Sequence, residues 1–428
     1  MIELETPRER AVLVGAPSKR LPAETAAEHL EELARLTDTA GAEIVGSLVQ
    51  RLDTPHPRSY LGEGKIEELR ELLDEANATL VVFDEELSPA QGKNLEDLLG
   101  RRVLDRAELI LDIFATRART SEAKTQVELA QLQYLLPRLT RMWAHLSRVR
   151  GGIGMRGPGE TQLETDRQMI NRKISRLKAD LERVARRRAT QRSGRNEAFR
   201  AALVGYTNAG KSSILRGMSG ADVFVEDRLF ATLDAATRAV DLGDGYECLL
   251  SDTVGFIRKL PHHLVASFRA TLEESRDADL LLHVIDLSHP GWEEQRGVVE
   301  AVLADLELDE QPTILVFNKV DRLTHEEEEI WRRRVAVEES HPAVFVSTLE
   351  PGGIEPLRTL LRDTIRSANP RMRITLPAAE GGILAEIYRD GEVLRREEEN
   401  GTVIVHARLP AATVGRLRRR PQVQVSED

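Results

Sequence analysis

Short apolar runs alternate with amphipathic stretches through the first quarter of the chain. Ala11-Val12-Leu13-Val14, Ile44 to Val49, Thr79-Leu80-Val81-Val82-Phe83 and, more weakly, Arg102-Val103-Leu104 read as strands. Between and after them a helical period predicts helices near 25–38, 65–76, 89–99 and 106–115. Strands alternating with helices of this length predict a small parallel α/β domain, residues 1–118. Gly62-Glu63-Gly64-Lys65 has neither the spacing nor the leading strand of a phosphate loop and reads as a helix-entry turn.

The period changes over residues 119–196. Leu129, Leu132, Leu136, Leu139, Trp143 and Leu146 recur at steps of three and four. Leu163, Ile170, Leu177 and Val184 recur every seven, with Ile174 and Leu181 between them. Two heptad seams joined by a loop predict an antiparallel helical hairpin, with Pro137 expected to kink its first helix. The connection, Arg150-Gly151-Gly152-Ile153-Gly154-Met155-Arg156-Gly157-Pro158-Gly159-Glu160, has far more glycine than a turn requires. Bare backbone between arginines suits close approach to a partner, so Arg150, Gly151, Gly152, Gly154 and Arg156 are candidate RNA contacts.

Residues 197–369 again alternate. Phe199 to Val204 is a strand, and Gly205-Tyr206-Thr207-Asn208-Ala209-Gly210-Lys211-Ser212 lies between it and a helix containing Ile214-Leu215. In that context G-x-x-x-x-G-K-[ST] is a phosphate-binding loop: its N–H groups curl around an anion and the helix start adds partial positive charge. Three further apolar strands end in polar residues: Cys248 to Ser251 before Asp252-Thr253-Val254-Gly255, Thr313 to Phe317 before Asn318-Lys319-Val320-Asp321, and Ala343 to Val346 before Ser347-Thr348. Open α/β sheets bind ligands at such carboxyl ends. Beyond Asn369-Pro370, the strand-like Arg373 to Leu376 and Thr402 to Val405, with the turn signal Asn400-Gly401, predict a small α+β module, residues 370–428.

Composition sharpens this picture in three places. The net charge of −11 hides sixteen Lys/Arg against five Asp/Glu between Arg138 and Arg195. A basic island in an acidic protein points to a local anionic partner, and nucleic acid suits it better than a solvated face. The lone cysteine, Cys248, and an acidic N-terminus without a signal-peptide pattern point to the cytoplasm. No apolar run approaches membrane length, and a monomer is expected.

The motifs together predict a GTP site. Lys211 is expected on the β/γ-phosphates, with Ser212 and Thr232 as Mg²⁺ ligands and Asp252 acting on the ion through water. The Gly255 N–H would meet the γ-phosphate. Thr232 lies in the connection Phe230-Ala231-Thr232-Leu233-Asp234, where it would engage only while that phosphate is present, as a switch does. Asp321 would accept from guanine's ring N–H and exocyclic amine, braced by Asn318 and Lys319, with Val346, Ser347 and Thr348 beside the base. Lys211, Thr232 and Gly255 are the candidate catalytic groups. Phe256 follows Gly255 where many GTPases carry a water-orienting glutamine, so unaided hydrolysis is expected to be slow. Arg228, Arg238 and Arg258 are candidates for charge stabilisation.

The run from Gly151 through Gly159-Glu160-Thr161-Gln162-Leu163-Glu164-Thr165-Asp166-Arg167, the phosphate loop, Phe230 to Asp234 and Asp252 to Phe256 together resemble the HflX family of GTPases. The resemblance extends over essentially the whole chain. Ala235-Ala236 stand where that family usually has Pro-Thr, and Thr348 where alanine is common. It implies a protein that binds the large ribosomal subunit, separates stalled or idle 70S ribosomes in its GTP state, and reaches ribosomal RNA through the N-terminal domain and hairpin. A role in large-subunit assembly or on another structured RNA, and a GTP-gated module with little turnover, remain alternatives. The expected fold class is α/β: a P-loop GTPase domain, preceded by the small α/β domain and the hairpin and followed by the α+β module.

Overall fold

The computed structural model describes residues 8–142, 158–192, 198–220, 229–260, 275–399 and 401–428. Its contacts divide the chain into two compact units. Among the described residues the first unit holds 8–142, 158–185, 229–234 and 257–260, and the second holds the remainder.

The first unit is built on a parallel sheet of β1 (Arg10–Gly15), β2 (Glu43–Val49), β3 (Leu80–Phe83) and β4 (Arg102–Asp105) in the order β2-β1-β3-β4. β1 and β3 are apolar along nearly their whole length because helices cover both faces of the sheet. Val12, Val14, Val81 and Phe83 share one cluster with Ile66, Leu69 and Leu73 of α2 (Glu63–Glu75) and Leu95 and Leu99 of α3 (Pro89–Leu99). The alternate residues, Ala11 and Leu13, turn to the other face, where α1 (Ala23–Thr39) and α4 (Arg106–Arg117) pack. Gly62 is the cap of α2, as its helix-entry reading requires.

Chain order reverses between β1 and β3, and the crevice outside their carboxyl ends is where doubly wound sheets usually take a ligand. Here it holds a cation from later in the chain. Lys259, at φ +55°, pairs with Asp84 and, at 3.3 Å, with Glu85, whose Oε2 also accepts from the Ala16 N–H at 2.9 Å. Behind it the fully buried Arg106 bridges Asp84 (2.7 Å) and Glu32, and Arg258 reaches Glu32 at 3.4 Å. Burial alone pushes the Asp84 carboxyl up, but Arg106 and Lys259 outweigh it and hold the group below the usual carboxylate range. Glu85 is pushed up by burial and by neighbouring Asp84.

α5 (Ser121–Met142) runs on through Pro137, and α6 (Pro158–Arg192) returns. Leu129, Ile174 and Leu177 form one cluster with Leu132, Leu136, Ile170 and Leu181, which is the expected heptad seam. Trp143 and Leu146 lie outside the described residues. α5 is fixed to the sheet at Asp105, which caps α4, accepts from Tyr134 Oη at 2.9 Å and pairs with Arg138 at 3.0 Å.

In the second unit a mixed sheet runs in the order β10-β9-β8-β5-β7-β6. Its strands are β5 (Phe199–Gly205), β6 (Ala236–Gly243), β7 (Tyr246–Asp252), β8 (Leu280–Asp286), β9 (Thr313–Asn318) and β10 (Ala343–Phe345). β6 is antiparallel to β7; the others run parallel. The following sheet has the order β12-β13-β11-β14: β11 (Arg371–Pro377), β12 (Glu392–Glu399), β13 (Thr402–Arg408) and β14 (Gln424–Glu427). Helices Gly381–Asp390 and Ala411–Arg418 complete a β-α-β-β-α-β pattern of ferredoxin-like connectivity. Glu392 ties the two sheets together, accepting from Tyr246 Oη at 2.8 Å and pairing with Arg366 at 2.7 Å. Among the described residues, no helix is long and apolar enough to cross a membrane.

The Tyr134 hydroxyl has one proton, given to Asp105, yet its oxygen also lies 3.2 Å from Glu108 Oε2. A protonated Glu108 satisfies both contacts, and burial followed by repulsion from Asp105 raises its pKa to about 7. A carboxyl raised in the folded state binds more protons there than in the unfolded chain, so stability falls as pH rises from about 4.5 to about 7. Melting temperatures across this window are expected to decline less in Glu108→Gln, which keeps a donor toward Tyr134, than in the wild type. Parallel curves would remove Glu108 from the linkage.

Candidate nucleotide-binding site

Four loops at the carboxyl ends of β5, β7, β9 and β10 carry the polar residues singled out in the sequence; the geometry locks the second and third to the first, and the fourth to the third. The loop after β5 ends in α7 (Lys211–Ser219), entered through Gly210 at φ +98°. A Cβ on Gly210 would lie 2.1 Å from Asn318 Nδ2, and that same amide donates to Ala209 O at 2.8 Å. Asn318 therefore braces the phosphate loop from the end of β9, and only glycine leaves it room.

The loop after β7 is attached differently. Thr207 N–H donates to Phe256 O at 2.7 Å and Phe256 N–H to Gly205 O at 3.1 Å, a short parallel bridge between residues 206 and 256. Gly255 is thereby pressed against the loop: a Cβ there would sit 2.7 Å from Thr207 Cα and 3.0 Å from Lys211 Nζ. Phe256 is buried, so its ring serves as an anchor. Asp252 is fully buried at the end of β7 and accepts from Ser212 Oγ at 2.6 Å, while Thr253 Oγ1 donates to Leu203 O at 2.6 Å. Val254 is buried beside them.

Lys211 Nζ is buried and donates to Gly205 O at 3.1 Å and Tyr206 O at 2.8 Å. Burial lowers its pKa to about 8, with Asp252 opposing the shift and Lys319 adding to it. Lys319, at φ +64°, pairs with Asp286 Oδ2 at 2.7 Å. Val320 opens a 3₁₀ turn that carries Asp321. Ser347 Oγ donates to Asp321 Oδ1 at 2.6 Å and accepts from Leu349 N–H and Glu350 N–H, so its hydroxyl orients the carboxylate. Val346 N–H is held by Phe317 O at 2.8 Å, and Thr348 follows at intermediate exposure.

Residues 229–234 belong to the first unit. Leu229, Phe230 and Leu233 are buried, while Ala231, Thr232 and Asp234 are partly exposed. Arg258 is buried against Glu32, which commits it to the carboxylate cluster rather than to a phosphate. Arg238 is exposed and donates to Thr237 O. Arg228 and the glycine loop with Arg150, Gly151, Gly152, Gly154 and Arg156 lie outside the described residues. Sequence reasoning missed Asp286 and the Phe256 bridge. A lone aspartate ending a strand carries no signature, and a backbone bridge leaves no trace in side chains.

A mixed sheet with a glycine loop braced by Asn-Lys-x-Asp and Asp-x-x-Gly strands is the construction of a P-loop GTPase. Family models agree: "GTP-binding GTPase N-terminal" matches residues 27–115, "GTP-binding GTPase Middle Region" 117–195 and "50S ribosome-binding GTPase" 200–319. Proteins named GTPase HflX are similar along nearly the whole chain. That of Flavobacterium psychrophilum is 43% identical, over 91% of this chain and 100% of the relative. That of Magnetococcus marinus is 45% identical over 97% and 96%, and that of Escherichia coli K12 is 45% identical over 91% and 92%. This chain belongs to the HflX family and is a GTPase.

With Lys211 as the phosphate-binding cation, the depressed pKa has a consequence. Free protein loses the ammonium proton as pH passes about 8, whereas a bound triphosphate holds it on, so binding takes up a proton there. GTP affinity is expected to fall between pH 8 and pH 9.5, by about tenfold per pH unit at the steepest. Lys211→Met should bind weakly with a flat profile. Titration with a fluorescent GTP analogue across this range checks both.

Proposed function

We propose that this GTPase binds the large ribosomal subunit in its GTP state, dissociates 70S ribosomes, and is released by hydrolysis to GDP and phosphate. The observation that carries the reading is a basic helix joined to a GTPase domain. On α6, Arg167, Arg172, Lys173, Arg176, Lys178, Arg183, Arg186 and Arg187 are exposed. Glu128 and Asp180 pair with Lys173 and Arg183, and the excess of cations along one exposed helix suits a phosphate backbone. The description of the matched GTPase model, 50S ribosome-binding, points the same way.

In this reading the N–H groups of Gly205 to Ser212 cradle the phosphates and Lys211 leaves its own loop carbonyls for the β/γ-oxygens. Asp321, held by Ser347, accepts from guanine's N–H and amine. The Ser212 and Asp252 oxygens, 2.6 Å apart at the helix start, suit a hard cation such as Mg²⁺, with Thr232 joining them. When bound, the ion neutralises charge developing between the β- and γ-phosphates. Gly255 brings its N–H to the γ-phosphate because no side chain separates it from Lys211 and Thr207. Phe256 points its ring into the core and orients no water, so the free enzyme is slow and the ribosome completes the site.

Three experiments test this. In sucrose gradients, protein with a non-hydrolysable GTP analogue should shift 70S particles to free subunits; intact 70S peaks with the protein comigrating on the large subunit would favour an assembly role. Replacing Arg183, Arg186 and Arg187 with glutamine should weaken subunit binding and lower the slope of log affinity against log salt by about 2 to 3. Asp321→Asn should weaken GTP binding by at least about a hundredfold and favour xanthine nucleotide, since guanine loses its shared acceptor. Unchanged GTP affinity would take Asp321 out of the base pocket.

A further inference from the structure

The connection 229–234 carries the candidate γ-phosphate sensor Thr232, and two side chains flanking it are seated within the first unit. Two residues before it, the buried Phe230 adopts φ +56°, a left-handed conformation that a bulky residue takes only when its surroundings demand it. Its ring meets the fully buried Phe114 of α4 edge to face, with centroids 4.7 Å apart and planes at 81°. Two residues after it, the Asp234 carboxylate accepts from Thr120 Oγ1 at 2.5 Å, Arg119 N–H at 3.0 Å and Thr120 N–H at 3.4 Å. Thr120 is itself the N-cap of α5, its hydroxyl accepting from Ala123 N–H at 3.1 Å.

Asp234 thus completes the start of a helix whose partial positive charge favours a carboxylate there, and that helix opens the basic hairpin. Five residues, Phe230 to Asp234, pinned at both ends leave Thr232 a small range of positions, set by Phe114 and Thr120. We propose that Phe114 and Thr120 are positioning residues for GTP hydrolysis, holding the segment at Phe230 and Asp234 so that seating Thr232 and capping α5 form one coupled equilibrium. This rests on Thr232 sensing the γ-phosphate. Coupling is reciprocal: a γ-phosphate that recruits Thr232 alters the first turn of α5, and an RNA load on the hairpin alters the seating of Thr232.

The test uses the full-length protein. Thr232→Ala should lower kcat by about tenfold or more. Thr120→Val keeps the branched shape but loses the hydroxyl. It should lower kcat by about threefold to tenfold with KM within about twofold, and Thr120→Ser should restore it. Phe114→Leu should act in the same direction. In the wild type, hydrogen exchange at amides 121–124 should differ at least about fivefold between GDP and a non-hydrolysable GTP analogue, and Thr120→Val should abolish the difference. Wild-type kcat in Thr120→Val and Phe114→Leu, with Thr232→Ala impaired, overturns the proposal alone. Wild-type kcat in Thr232→Ala overturns the reading of Thr232 instead. Should Thr120→Val fail to fold, equal exchange at 121–124 in the two nucleotide states of the wild type is enough to overturn the coupling.

Discussion

The phosphate loop keeps its shape because residues at the ends of β7 and β9 reach across and hold its backbone. Asn318 takes the Ala209 carbonyl, and Phe256 exchanges backbone hydrogen bonds with Gly205 and Thr207. A ring of N–H groups aimed at one point would otherwise be costly, since those groups form no regular helix or sheet ladder among themselves. Once these braces exist, the glycines follow. Gly210 must leave space for the Asn318 amide and Gly255 for Thr207 and Lys211. The side chains that brace the loop stand at carboxyl ends of strands, so sheet order fixes the site.

The first unit applies the same logic to charge. Its crevice between β1 and β3 has the topology of a ligand site but is lined by Asp84 and Glu85, and Lys259 fills it. Removing one partner from so buried a group of ions costs about 3–5 kcal/mol, because it strands the opposite charge. Residues 257–260 follow closely on the Asp-x-x-Gly motif, and residues 229–234 carry Thr232; both segments are components of this unit.

Much of this was legible in the sequence, and for a definable reason. Buried parallel strands must be apolar throughout, which exposed β1, β3, β5 and β9; heptad spacing exposed the α5–α6 seam; and phosphate chemistry constrains residue types so tightly that the loop motifs read directly. β6, β12 and β14 escaped. β12, Glu-Val-Leu-Arg-Arg-Glu-Glu-Glu, is an edge strand whose charges face water, so its pairing with β13 comes from backbone hydrogen bonds and not from pattern. Sequence alone also named Asp252, Lys211, Asn318 and Asp321, because their chemistry is local to each motif. Only the tertiary structure decided which groups they touch: Ser347 on Asp321, Asp286 on Lys319, Asp234 on Thr120 and Arg258 on Glu32. These pairs join residues 26 to 226 positions apart. No local period or spacing encodes them, since a side chain's partner is set by the packing of whole elements.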